Sequence, residues 1–169
     1  DFMELGPPVC FDVTHSTQLP GADAIESEIE RRLADGGDHA FCYLDLDNLK
    51  EINDSLGHTA GDEVLRAIGD GLARSFIRKS DFVARYGGDE FAVLLPDVNL
   101  EESMAIGERV RRAITGETDD VEDSLIRIPV RISMGVAEMC PDGTLDSLLR
   151  DADAALYRAK RAGRDKVST

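Results

Sequence analysis

Asp45 stands inside the run Phe41 to Leu46, which is otherwise almost wholly apolar, and Asp89-Glu90 follow directly on Gly87-Gly88. A carboxylate within a strand buried on both faces is costly to desolvate unless something binds it. Two acidic clusters on neighbouring strands make a hard-oxygen site suited to Mg²⁺. On spacing alone, Asp45 as a turn cap and Asp89 as an ordinary hairpin residue explain the same pattern, and both readings stand at this point.

The charge balance constrains what such a site handles. Nineteen Lys and Arg face 34 Asp and Glu, a net charge of −15, so the overall field repels DNA, RNA and anionic lipid, and nucleic acid is not expected as a partner. A polyphosphate has to be held locally, by metal ions and a few placed cations. With 169 residues, 42% of them hydrophobic, the chain fits one domain. Its apolar stretches are strand-length and no basic-then-apolar leader opens it, so a soluble fragment is expected. Cys10, Cys42 and Cys140 are odd in number and widely spaced; free thiols and a cytoplasmic location follow, with a membrane anchor elsewhere in a full-length protein left open.

The elements that must position these acids are legible as periodicities. Residues 1–11 lack any, and with Gly6, Pro7 and Pro8 they read as a linker remnant ahead of a domain spanning 12–169, regulatory parts lying upstream. Ile25, Ile29 and Leu33 mark a surface helix stopped at Gly36-Gly37. The Phe41 to Leu46 run is a central strand, followed by a short helix over Asn48 to Ser55 and a long one from about Ala60 to Arg78. Phe82 to Tyr86 and Glu90 to Leu95 flank Gly87-Gly88, a dipeptide suited to the positive φ angles of a two-residue hairpin turn. A helix from Leu100 to Ile114 leads to an acidic loop with Asp119, Asp120, Glu122 and Asp123, read as solvated. Val130, Ile132, Met134 and Val136 then alternate as a half-buried strand. Thr144 caps a last helix that stops at Gly163. This order implies an α+β fold: one mainly antiparallel central sheet covered by helices.

Arg85-Tyr86-Gly87-Gly88-Asp89-Glu90-Phe91 contains the signature of the GGDEF family, the diguanylate cyclases, and Asp45 to Asp54 resembles that family's metal-binding strand and following helix. Gly57-His58, Gly61 to Leu65 and Ala154 to Arg164 are also similar, so the resemblance spans residues 40–166. It implies a nucleotidyl-cyclase, palm-like fold and condensation of two GTP molecules into cyclic di-GMP with Mg²⁺ or Mn²⁺. The implied metal ligands are Asp45, the Leu46 carbonyl and Asp89, with Asp89 or Glu90 taking the proton from the attacking 3′-hydroxyl. Lys50, Lys160 and Arg164 match phosphate-contacting positions, which supply the local positive charge that the net charge demands. Asn53, His58 and Asp62 match nucleotide-binding positions, alongside Gly87 and Gly88 of the turn. Asp62 can accept from guanine N1–H and the exocyclic amine, a donor pair that adenine lacks. Helix capping is the ordinary use of Asn53 and Asp62.

Arg78-Lys79-Ser80-Asp81 has the RxxD spacing of the family's product-inhibition site, with Arg109 assisting from the next helix. Cyclic di-GMP is therefore expected as both product and inhibitor. One guanine-reading set per chain against two guanosines per product implies catalysis across a homodimer. A catalytically silent domain that senses GTP or cyclic di-GMP is the alternative, and intact Asp45, Lys50, Asp89 and Glu90 weigh against it. The sequence departs from the family's opening turn: His15 to Gly21 keeps only Thr17, Leu19 and Pro20 in register.

Overall fold

The computed structural model describes residues 19–76, 80–116 and 130–169. The linker remnant, the opening turn up to Gln18, Cys10, Arg78 and the acidic loop all lie outside the described residues.

The central strand is β1 (His39–Leu46), buried at every position but Tyr43. Antiparallel partners satisfy its backbone on both edges: β3 (Glu90–Pro96) on one side and β4 (Ile132–Glu138) on the other. β2 (Phe82–Arg85) extends the sheet beyond β3, and the parallel strand β5 (Val167–Ser168) beyond β4, giving the order β2-β3-β1-β4-β5. The fold is the expected α+β one. β5 left no mark in the sequence because two residues are too few to show a period.

Helices cover both faces. β1 sends Ala40, Cys42, Leu44 and Leu46 into one apolar cluster with Val64, Leu65, Ile68 and Leu72 of α3 (His58–Ser75) and Val110 of α4 (Leu100–Thr115). The short α2 (Leu49–Leu56) adds Ile52 to it. Phe41 points the other way, against Ile25 and Ile29 of α1 (Ala22–Asp35) and Leu148 and Ala152 of α5 (Leu145–Arg161). β4 accordingly departs from the half-buried strand its alternation predicts. Ile132 to Ala137 are all buried, since α4 and α5 sandwich the strand. α3 also ends sooner than expected, its last turn closed by the Phe76 N–H donating to the Leu72 carbonyl.

α5 is the element that brings cations to the sheet. Thr144 caps it as expected, in a reciprocal pair: the Ser147 N–H donates to Thr144 Oγ1 and the Thr144 N–H to Ser147 Oγ. Ala152, Ala155 and Ala159 are fully buried on its inner face. Opposite them a Cβ on Gly135 of β4 would lie 2.2 Å from the Leu156 nitrogen and 2.4 Å from the Ala152 carbonyl oxygen. Those obstacles are backbone, so only glycine permits this approach. Among the described residues, no helix is long and apolar enough to cross a membrane.

Candidate active site

The side chains of β1 alternate, so the odd positions that carry Phe41 toward α5 carry Asp45 there too. Asp45 is paired across the ladder with Glu90, the first residue of β3, and the Leu46 N–H donates to the Asp89 carbonyl at 3.1 Å. Carboxylate oxygens of Asp45, Asp89 and Glu90 consequently lie within 4.8 Å of one another. Asp45 is 7% exposed, and its Oδ1 is buried with no hydrogen-bond partner among the described residues. Burial first of all, then the charge of Asp89, pushes its carboxyl up to about 6, although the Lys160 ammonium, bonded to Oδ2, pulls the other way. Three acids converging on an unsatisfied oxygen fit a divalent cation, whose ligands of choice are carboxylates. The cluster includes Glu90, which belongs to the acidic pair seen in the sequence but which the family resemblance assigns to proton transfer and not to the metal.

The glycine turn differs from expectation. Four residues separate β2 from β3, and neither Gly87 nor Gly88 has a positive φ. The loop is wider than a two-residue hairpin because the Glu90 carbonyl accepts two N–H groups, from Tyr86 at 2.8 Å and Gly87 at 3.2 Å. Arg85 holds its shape, donating from Nε to the Gly87 carbonyl and from Nη2 to that of Gly88. Gly87 leaves room for a side chain instead: a Cβ there would sit 2.6 Å from Glu90 Oε2 and displace that carboxylate. Two tyrosines steady this edge. Tyr43 hydrogen-bonds Glu90, Tyr86 donates to Glu26 of α1, and the two rings meet edge-on at 5.3 Å.

The cationic candidates arrive as a pair on one turn of backbone. Lys160, in the last turn of α5, reaches Asp45; Arg164, four residues on, lies 3.6 Å from Asp47. Lys50 is exposed on α2, and His58 and Asp62 are exposed on the first turns of α3. Neither Asn53 nor Asp62 caps a helix: Asn48 and Gly57 hold the N-cap positions, without side-chain cap bonds. Asn53 Oδ1 is buried and unpartnered among the described residues, in room that exists because residue 61 is glycine; a Cβ there would fall 1.8 Å from that oxygen. Of the RxxD set, Asp81 precedes β2 and Arg109 is exposed on α4, while Arg78 lies outside the described residues.

Sequence reasoning passed over Arg85, Tyr43 and Tyr86, whose partners are set by tertiary contacts, and also Asp47. Only the i, i+2 relation of Asp47 to Asp45 hinted that the two share a face.

Comparison with known proteins shows the family. The sequence model of the family described as "Diguanylate cyclase, GGDEF domain" matches residues 13–166. Diguanylate cyclase DgcP of Pseudomonas aeruginosa is 42% identical over 146 residues, 86% of this chain and 21% of that protein. Response regulator PleD of Caulobacter vibrioides is 38% identical over 144 residues, 85% of this chain and 32% of that protein. The chain therefore spans about a fifth to a third of these relatives. Among solved structures, the GGDEF domain of DgcB from Caulobacter crescentus in complex with c-di-GMP superimposes with a TM-score of 0.83 at 30% identity, covering 92% of this chain and 94% of that one.

Proposed function

The chain belongs to the diguanylate cyclase GGDEF domain family, and we propose that it is itself a cyclase, joining two GTP molecules into cyclic di-GMP with release of pyrophosphate. The observation that carries this reading is the buried Asp45 oxygen left unpartnered beside Asp89 and Glu90. A silent fold has no reason to keep three carboxylates together at that desolvation cost.

Asp45, Asp89 and Glu90 would hold Mg²⁺ or Mn²⁺, with the Leu46 carbonyl at the end of β1 completing the set. When bound, the ion stabilises the negative charge that builds on the phosphate oxygens. The chain's own groups do the rest. The 3′-oxygen of each GTP forms a bond to the α-phosphorus of the other, the bond from each phosphorus to its pyrophosphate breaks so that two pyrophosphates leave, and each hydroxyl proton passes to Asp89 or Glu90. Tyr43 fixes Glu90 for that transfer. Lys160, Arg164 and Lys50 receive the phosphates. Gly87 and Gly88 leave the turn open to the nucleotide; Asn53, His58 and Asp62 receive the base and sugar. Product control through Arg78, Asp81 and Arg109 completes the reading.

Each chain offers one such set, and the product needs two. Two domains face to face, each presenting its GTP to the other, satisfy the stoichiometry. The test is cyclic di-GMP formation from GTP and Mg²⁺, resolved by chromatography across a wide dilution series. Specific activity is expected to rise with protein concentration. Bound GTP without turnover at any concentration overturns the cyclase in favour of a receptor, and constant activity in a confirmed monomer overturns the two-domain mechanism.

A further inference from the structure

Asp47 follows β1 by one residue and its side chain is 3% exposed, yet it lies outside the acidic cluster. Both its oxygens are already engaged. Ser133 Oγ of β4 donates to Oδ1 at 2.7 Å, and the Asp165 N–H donates to Oδ2 at 2.9 Å. Arg164 Nη1 stands 3.6 Å from Oδ1. Arg164 and Asp165 form the turn between α5 and β5, and both adopt left-handed backbone, at φ +65° and +49°. Neither is a glycine, so the turn is costly and must be held from outside. The Arg164 N–H closes the helix end on the Ala159 carbonyl at 3.0 Å, so the same turn fixes the last residues of α5, Lys160 among them. A second clamp reaches it from α4. Arg111, 8% exposed, binds the Asp165 carboxylate at 2.7 Å and is steadied by two bonds to Glu108.

We propose that Asp47 is a positioning residue for phosphate binding: it fastens the strained Arg164–Asp165 turn to the end of β1, setting Arg164 and Lys160 at the mouth of the Asp45 cluster. This rests on the cyclase reading for the ligand, and on the observed contacts alone for the fastening. One strand thereby fixes both halves of the site two residues apart. Asp45 offers the acid, and Asp47 places the cations that face it. The carboxylate suits this task because one group accepts from a hydroxyl and a peptide N–H while its charge faces a guanidinium.

The test uses the whole chain with Asp47→Asn, Asp47→Ala and Ser133→Ala. Asp47→Asn keeps an oxygen for the Asp165 N–H and loses the charge facing Arg164. It is expected to raise KM for GTP about tenfold, the lower end of what outer positioning groups cost, with a smaller change in kcat. In an Arg164→Ala background the same substitution is expected to change KM little, because the two act as one unit. Amide hydrogen exchange at Asp165 supplies a readout free of activity. Its protection should survive Asp47→Asn and Ser133→Ala, and fall in Asp47→Ala. Unchanged protection in Asp47→Ala overturns the fastening. An unshifted KM in a working enzyme, or additive effects with Arg164→Ala, overturns the positioning role alone. A parent chain that turns over no GTP instead overturns the cyclase reading, and with it the phosphate end of the proposal.

Discussion

Asp45 and Asp47 lie on one face of one strand end, and the protein treats them in opposite ways. Asp45 has an oxygen without a partner, a neighbouring carboxylate that repels it, and a single ammonium for compensation. Asp47 is as deeply buried and has a donor on each oxygen. The first arrangement destabilises the empty protein and is useful only if a ligand completes it. The second is complete and serves the architecture. Burial of a carboxylate therefore does not identify a site; burial without satisfaction does.

The sharpest contrast should be catalytic. Asp45→Asn is expected to lower cyclic di-GMP synthesis on the order of a thousandfold, by removing a metal ligand, whereas Asp47→Asn acts mainly on KM. Comparable losses in kcat from both would erase the distinction. Stability should move in opposite directions. Asp47→Ala strands a buried hydroxyl, a peptide N–H and the strained turn, and should cost about 2 kcal/mol in denaturant unfolding. Without metal, Asp45→Asn should stabilise the fold by about 1 kcal/mol near neutral pH, since it removes an ionised group held at a disadvantage. The sign fixes its pH window. Because folding raises the Asp45 carboxyl from the ordinary range to about 6, the cost of its charge is absent below about pH 4 and complete above about pH 6. The gain from Asp45→Asn should follow that course, and saturating Mg²⁺ should stabilise the parent while leaving the variant unmoved. A variant less stable than the parent at pH 7.5 would mean that Lys160 outweighs burial.

The smallest effect belongs to the outer clamp. Arg111 holds the Glu108 carboxyl below its usual range, so this pair contributes stability above the ordinary carboxylate pKa and loses it as pH falls through the lowered value. Glu108 is half exposed and water screens it. Glu108→Gln should cost about 0.5 kcal/mol at pH 7 and nothing in strong acid, measured by thermal unfolding. A much larger cost would mean that Arg111 needs Glu108 in order to hold Asp165.

Much of this molecule follows from local chemistry. The continuous apolar run of Phe41 to Leu46, the helical spacing of Ile25 and Ile29, the Thr144 cap and the two acidic motifs depend on neighbours in sequence, and sequence pattern records neighbours. The Gly87-Gly88 turn is a different one from the hairpin that the dipeptide suggests: neither glycine has a positive φ, and Gly87 makes room for the Glu90 carboxylate three residues away. Tertiary structure alone decided that β4 is covered on both faces and that Gly135 lets α5 lie against the sheet. It alone decided that Asp45 is left unsatisfied while Asp47 is not. The partners that separate those two carboxylates, Ser133 and Asp165, lie 86 and 118 residues from Asp47 in the chain. A sequence shows which groups need partners; only the packing of distant elements in three dimensions determines which of them receive one.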